Sequence, residues 1–271
     1  MNQNQISILG LGWLGKPLAQ KLNKLGYIVN GSTTSETKSK TLQEEGLNSF
    51  VMELTEEGVK GSVNELLNNT KILILNIPPG LRRNPNSSYV NKVKQLIPYI
   101  EFNQISKVLL ISSTSVFEAD VNFPEIFNTT TPNGTSAAAE QLIEVEELLY
   151  NNSNFETTIL RFAGLIDERR HPSTMMSKRK GIKGGEGPVN LIHLNDCIQI
   201  IVAIIEKEMW HYKLNAAYPD HPTKKEYYSE VCNQMNLPSP DFVHEKAVKG
   251  KKINGLDTVS LLGIKYKMPI W

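Results

Sequence analysis

The sequence is poor in cysteine and in net charge, and each shortage excludes something. Among 271 residues there are two cysteines and three tryptophans. Cys197 and Cys232 both fall in apolar helical patterns, which points to buried free thiols rather than a disulfide framework or a metal site. The five histidines show no metal-ligand spacing. Lys and Arg number 29 against 28 Asp and Glu, a formal net charge of +1, so no global field draws the chain to nucleic acid or to an anionic membrane. Long hydrophobic runs are missing too: Ile198–Ile205 stops well short of the roughly 18–20 apolar residues of a bilayer span. The opening Met1-Asn2-Gln3-Asn4-Gln5 has no basic segment, so no secretory signal is expected and a cytoplasmic location is. What is present suits a globular chain with a sizeable core: 40% hydrophobic and 21% charged residues.

Strand-like and helix-like segments alternate through the first part. Ile6–Leu9 reads as a strand ending in glycines, and the following helix places Leu18, Leu22 and Leu25 on one stripe before Gly26. Tyr27–Gly31 and Ser49–Leu54 read as strands two and three. Lys71–Asn76 is a continuous apolar strand of the kind covered on both faces. Further helices are expected over Ser87–Tyr99 and along Ala138, Leu142, Val145 and Leu149, with strands at Val108–Ile111 and Thr158–Leu160. This alternation predicts an α/β fold, a Rossmann-type doubly wound parallel sheet with a small C-terminal substrate lobe. The expected division is a dinucleotide-binding domain over residues 1–165, rejoined by 189–216, and a lobe formed by 166–188 and 217–271.

Gly10-Leu11-Gly12-Trp13-Leu14-Gly15 matches G-x-G-x-x-G, with a strand before it and an amphipathic helix after it. Glycines there allow a tight turn and close backbone approach, and the helix start offers N–H groups to a pyrophosphate. A structural turn without ligand is the alternative. At the end of strand two an NAD site usually carries an Asp or Glu for the ribose 2′-hydroxyl. This chain has Ser32, Thr33, Thr34 and, one turn on, Lys38. Hydroxyls and a lysine favour NADP over NAD, the plainer reading of the same residues being a turn and helix cap.

Four later stretches are more specific. Ile111-Ser112-Ser113-Thr114-Ser115-Val116-Phe117, Leu160–Leu165, Asn190-Leu191-Ile192-His193-Leu194-Asn195-Asp196 and Leu214–Ala217 occur in order. They resemble segments of the extended short-chain dehydrogenase/reductases, the NAD-dependent epimerase/dehydratase family. The resemblance covers nearly the whole chain. It departs at position 9, where Leu9 replaces the first glycine of the family's G-x-x-G-x-x-G. It implies a Rossmann domain with a substrate lobe that frequently takes nucleotide sugars. It also implies Ser113 as the catalytic hydroxyl, Glu53-Leu54 beside the adenine, and Asn76-Ile77-Pro78 against the nicotinamide-side ribose.

The family's Tyr-x-x-x-Lys pair is absent, since no tyrosine has a lysine four residues on. Alignment through Glu144 and Leu148 puts Ser136 and Glu140 in those positions, on one helix face. Glu140 could serve as a base if the cleft desolvates it; otherwise Ser136 is an N-cap and Glu140 a solvated first-turn acid. Arg82, Arg83, Arg169, Arg170 and His171 are candidates for holding a phosphate, or are solvated loop charges. His193 and Asp196 read as structural. The expected function is NADP(H)-dependent, epimerase/dehydratase-like oxidoreduction of a small phosphorylated or nucleotide-linked polyol or sugar. The alternative is a dinucleotide-binding sensor or scaffold without turnover. A dehydrogenase of the 6-phosphogluconate type, suggested by Ile77-Pro78-Pro79, lacks its long helical second domain here. The expected partner is an anionic small molecule, with neither nucleic acid nor membrane and with a homodimer left open.

Overall fold

The computed structural model describes residues 5–81 and 84–271. Its elements run β1 Gln5–Leu9, α1 Gly15–Lys24, β2 Ile28–Thr33, α2 Glu36–Glu44, β3 Asn48–Leu54, β4 Val59–Gly61, α3 Val63–Leu67, β5 Thr70–Leu75, α4 Tyr89–Phe102, β6 Lys107–Ser113, β7 Glu125–Ile126, α5 Ala137–Tyr150, β8 Glu156–Phe162, β9 Gly164–Ile166, α6 Ser173–Met176, β10 Leu191–His193, α7 Leu194–Glu206, β11 Lys213–Ala216, α8 Lys224–Gln234, β12 Lys252–Ile253 and α9 Leu256–Leu261. Eight strands form one sheet in the order β11-β8-β6-β5-β1-β2-β3-β4. Strands β3, β2, β1, β5 and β6 pair in parallel, and β4 is an antiparallel edge that the apolar pattern alone did not announce. The doubly wound fold is borne out.

Two compact units are present. The first draws on residues up to Val116 with Thr135–Leu160 and Ile204–Leu214, and the second on Phe117–Gly134, Arg161–Ala203 and Asn215–Trp271. In the first unit the central strands are apolar on both faces: Ile6, Ile8 and Leu9 of β1 and Leu73, Ile74 and Leu75 of β5 are fully buried. Helices cover both faces, which is why these strands show no alternation. In α1 the stripe is shorter than the spacing suggested. Leu18 and Leu22 are buried, but Leu25 is the C-cap and is 40% exposed, because the helix has ended before its side chain can turn inward. β2 extends two residues beyond the expected Gly31, through Ser32 and Thr33.

In the second unit β9 and β10 pair in parallel, as do β7 and β12. A cluster of Ile166, Val189, Leu191, Tyr227, Val231 and Ile270 forms a local core there. Both cysteines are buried free thiols, as their helical patterns implied. Among the described residues, no helix is long and apolar enough to cross a membrane.

Candidate functional site

Chain order places the site. From β1 the chain moves outward through β2 and β3, then returns on β1's other side as β5 and β6. The carboxyl ends of β1, β2 and β5 therefore flank the point where strand order reverses, the place where such sheets bind ligands. A cleft of about 510 Å³ opens there.

Its floor is the glycine turn. Gly10 has φ +103°, and a Cβ on it would lie 2.7 Å from the Asn76 carbonyl oxygen. A Cβ on Gly15 would lie 2.1 Å from the Gly10 carbonyl oxygen, so this glycine lets α1 sit against the turn. Gly12 differs: its Cβ would meet nothing within 4 Å, leaving open space above its backbone. Two side chains lock the turn. Asn76 Nδ2 donates to Gly10 O at 3.0 Å, and Gly10 N–H donates to Ser32 Oγ at 3.1 Å.

Helices α2, α4, α5 and α8 each begin on a Ser or Thr whose side chain accepts a first-turn N–H. α1 begins at Leu14 without a side-chain cap, as the short helices α3, α6 and α9 also do. An uncapped helix start beside open space over Gly12 is what a bound pyrophosphate requires, its oxygens taking the N–H groups and the positive end of the dipole. The residues present fit a dinucleotide.

Of the residues expected to bind cofactor, Gly10, Gly12, Ser32, Thr33, Thr34, Lys38, Glu53, Leu54, Asn76, Ile77 and Pro78 all line the cleft. Trp13, Leu14 and Gly15 do not. Leu14 is buried and Gly15 packs against Gly10, so these two act by shaping the turn. The hydroxyls at β2 are unequal. Ser32 Oγ is committed to Gly10, and Thr33 Oγ1 accepts the Ser35 N–H at 3.4 Å. Thr34 and Lys38 are exposed, with no such commitment from their side chains, and Ser35 is the cap of α2. Tyr89 and Lys92 of α4 also line the cleft and were not anticipated. Tyr89 is buried and its hydroxyl donates to Ile77 O at 3.0 Å, tying the loop after β5 to α4; burial pushes its pKa up. The only sequence cue to Lys92 was its place one turn after Tyr89.

The expected catalytic residues do not line this cleft. Ser113 closes β6, half-buried, with its Oγ accepting the Ser115 N–H at 3.1 Å. Its neighbour Ser112 is buried and donates to Glu146 Oε1 of α5 at 2.6 Å. Ser136 is the exposed N-cap of α5, accepting the Ala139 N–H at 3.2 Å. Glu140 is exposed in the first turn. The desolvation a carboxylate base would need is absent, and the capping reading of both residues holds instead.

Arg82 and Arg83 lie outside the described residues. In the second unit the Arg169 and Arg170 side chains are exposed, while their backbone N–H groups donate to Asp167 Oδ1 at 3.0 and 2.5 Å. The His171 ring contacts the Tyr227 hydroxyl at 2.9 Å. The second unit's cationic cavity lies elsewhere, about 340 Å³ lined by Lys224, Lys249, Lys251, Tyr228, Gly164 and Gly250. Lys251 Nζ donates to Phe117 O, and burial lowers its pKa. The sequence cue was the run Lys249-Gly250-Lys251-Lys252, which composition alone did not separate from other surface lysines.

Comparison with known proteins agrees with this geometry. A family model described as NAD(P)H-binding matches residues 10–207. Protein YeeZ of Escherichia coli (strain K12) is 30% identical over 268 residues, covering 98% of this chain and 96% of YeeZ. UDP-glucuronic acid 4-epimerase from Bacillus cereus, solved in complex with NAD, has a TM-score of 0.75 at 18% identity, covering 98% of this chain and 94% of that one. dTDP-glucose 4,6-dehydratase from Bacillus anthracis str. Ames, also in complex with NAD, has a TM-score of 0.77 at 13% identity, with 98% and 92% covered. The two enzymes share the fold, and YeeZ is similar in sequence along nearly its whole length. The chain belongs to the NAD(P)H-binding family and has the Rossmann-type fold of the NAD-dependent epimerases and dehydratases.

Proposed function

We propose that the chain is an NADP(H)-dependent, epimerase/dehydratase-like oxidoreductase acting on a small phosphorylated or nucleotide-linked polyol or sugar. The observation that carries the cofactor half is the end of β2. Thr34 and Lys38 are exposed on the cleft there, and Glu36, the nearest carboxylate in sequence, does not line it. A 2′-phosphate would be held by the Lys38 ammonium and the Thr34 hydroxyl, with Lys92 adding positive charge to the same cleft. When bound, the cofactor supplies or accepts the hydride.

The chain's own residues do the remaining work. The Gly12 backbone and the uncapped start of α1 hold the pyrophosphate, and Tyr89 fixes the loop beside it through Ile77. Ser113 offers a hydroxyl as hydrogen-bond partner to a reacting hydroxyl or carbonyl. Taken by itself, the second unit has a cavity lined by Lys224, Lys249 and Lys251, which suits an anionic group. The preference for a phosphorylated or nucleotide-linked substrate rests on that cavity.

The test is separate titration with NADPH and NADH, followed by a screen of phosphorylated and nucleotide-linked sugars for cofactor oxidation. Tight NADPH binding, with turnover lowered by Ser113→Ala at unchanged cofactor affinity, is the expected result. Equal affinity for both cofactors would overturn the NADP assignment.

A second reading, dinucleotide binding without turnover, draws support from the capped, solvent-facing start of α5, where no proton-transferring pair is present. It requires that NADPH raise the melting temperature while no substrate oxidises it.

A further inference from the structure

We infer that the second unit contains a binding site for a small organic cation with an apolar body, in the cavity bordered by Glu168 and Trp271. This site is independent of the cofactor cleft and of the lysine cavity, and it encloses about 340 Å³. That volume lies near the lower end of the roughly 300–1,000 Å³ usual for small-molecule sites.

The walls are apolar and adaptable. Ile166, Val231 and Ile270 are buried beneath it, and the thioethers of Met235 and Met268 border it. Methionine side chains conform to ligands of differing shape and make favourable contacts with rings. Trp271 lines this cavity and is 44% exposed. It packs against the Tyr227 ring, with centroids 5.2 Å apart and planes inclined at 58°. Tyr227 is itself fixed, since its hydroxyl donates to Ile270 O at 2.6 Å. The indole is therefore a supported π surface, the side chain best suited to receive a cation on its face.

The polar groups are two carboxylates and two histidines. Glu168 brings a carboxylate whose side chain is 77% exposed, 3.4 Å from His193 Nε2. His193 Nδ1 accepts the Asn195 N–H at 3.1 Å, so the ring proton sits on Nε2 and faces Glu168. His171 adds no positive charge. Its Nδ1 accepts the Ser173 N–H at 3.3 Å, which leaves Nε2–H to donate to the Tyr227 hydroxyl. Burial lowers its pKa, in the same direction as that hydrogen-bond arrangement. Asp167 borders the cavity as a second carboxylate, and no Lys or Arg is among the described residues that line it. An organic anion would meet two carboxylates there. A cation would meet Glu168 and the indole face, with its carbon skeleton against the aliphatic and methionine walls.

The test uses the full chain and three probes of one shape, phenethylamine, 2-phenylethanol and 3-phenylpropionate, followed by titration calorimetry at neutral pH. The amine is expected to bind saturably with one site, and the alcohol and the acid at least about tenfold more weakly. Glu168→Gln, at an exposed position that leaves the fold intact, should weaken the amine about tenfold and leave the alcohol unchanged. Trp271→Leu should weaken the amine as well. Absence of saturable amine binding would overturn the assignment. So would an alcohol that binds as tightly as the amine, or a Glu168→Gln variant with the affinity of the parent protein.

Discussion

Two glycines of one turn should respond to the same substitution in opposite ways. At Gly15 an added methyl would lie 2.1 Å from the Gly10 carbonyl oxygen, 3.0 Å from its carbon and 3.1 Å from Asn76 Nδ2. Two of these atoms are backbone at the end of a central strand, so nothing flexible can give way. Overpacking of this kind costs about 1–3 kcal/mol, and a backbone clash belongs at the upper end. At about 2–4 °C per kcal/mol for a chain of this size, Gly15→Ala should melt about 6–12 °C below the parent protein. At Gly12 the methyl meets nothing within 4 Å. Gly12→Ala should therefore change stability by less than about 1 kcal/mol. The cofactor reverses the ranking. At a hundredfold excess over Kd, NADPH stabilises the parent by about 2.7 kcal/mol, or about 5–11 °C. Gly12→Ala should lose nearly all of that shift, because the methyl occupies the space assigned to the pyrophosphate. Thermal melts of the three proteins with and without NADPH decide the matter. A Gly12→Ala protein stabilised as much as the parent would refute the placement of the pyrophosphate, and a Gly15→Ala protein of parental stability would refute the clash.

The other predictions concern charge and buried hydrogen bonds. Thr34→Asp puts a carboxylate where the 2′-phosphate is assigned, and should weaken NADPH by at least about tenfold while sparing NADH; unchanged preference in paired titrations would remove Thr34 and Lys38 from that role. Burial lowers the pKa of both His171 and His221, so below about 6.5 the unfolded chain binds protons that the folded chain does not. Stability should therefore fall as pH is lowered from about 6.5 towards 5.5 and stay flat above, and replacing both histidines with glutamine should flatten the decline. A pH-independent melting temperature across that range would contradict it. Ser112→Ala removes a donor from the buried Glu146 carboxylate and should cost about 1.5–3 kcal/mol, read as a lower urea midpoint at unchanged slope.

The cleft over the glycine turn was legible because its demands fall on backbone and on chain order. Gly10 and Gly15 answer two separate steric requirements while Gly12 leaves open space, and a strand before and a helix after them fix where the turn must lie. The doubly wound order follows from the same alternation. The cleft's other wall was harder to read. Lys92 and Tyr89 arrive from α4, and nothing in a local pattern says which turn of that helix faces β2 and β3. The hydroxyl run at residues 32–35 could be located but not apportioned. Only hydrogen bonds show that Ser32 belongs to Gly10, Thr33 and Ser35 to the turn and cap, and Thr34 to the cleft. The lysine cavity was illegible for a plainer reason: Lys224 opens α8 while Lys251 precedes β12, and spacing along the chain carries no sign that both line one cavity.

The start of α5 bears directly on the proposed turnover. A tyrosine and lysine in that helix would supply a proton donor and a cation to tune it. Ser136 instead has its oxygen taken by the Ala139 N–H, and Glu140 faces water. Both choices optimise a helix beginning, since a serine cap and a first-turn acid complement free N–H groups and the dipole. Two turns on, the same helix is committed to scaffolding, where Glu146 is buried and accepts from Ser112 at the end of β6. That bond fixes the backbone carrying Ser113, whose Oγ accepts the Ser115 N–H in the turn that follows β6. The order of dependence follows: Ser112→Ala should loosen Ser113 without touching the cofactor cleft, whereas Ser136→Ala and Glu140→Gln should alter only the stability of α5. If either of those two variants abolished turnover while the melting temperature held, the assignment of α5 as scaffold would fail.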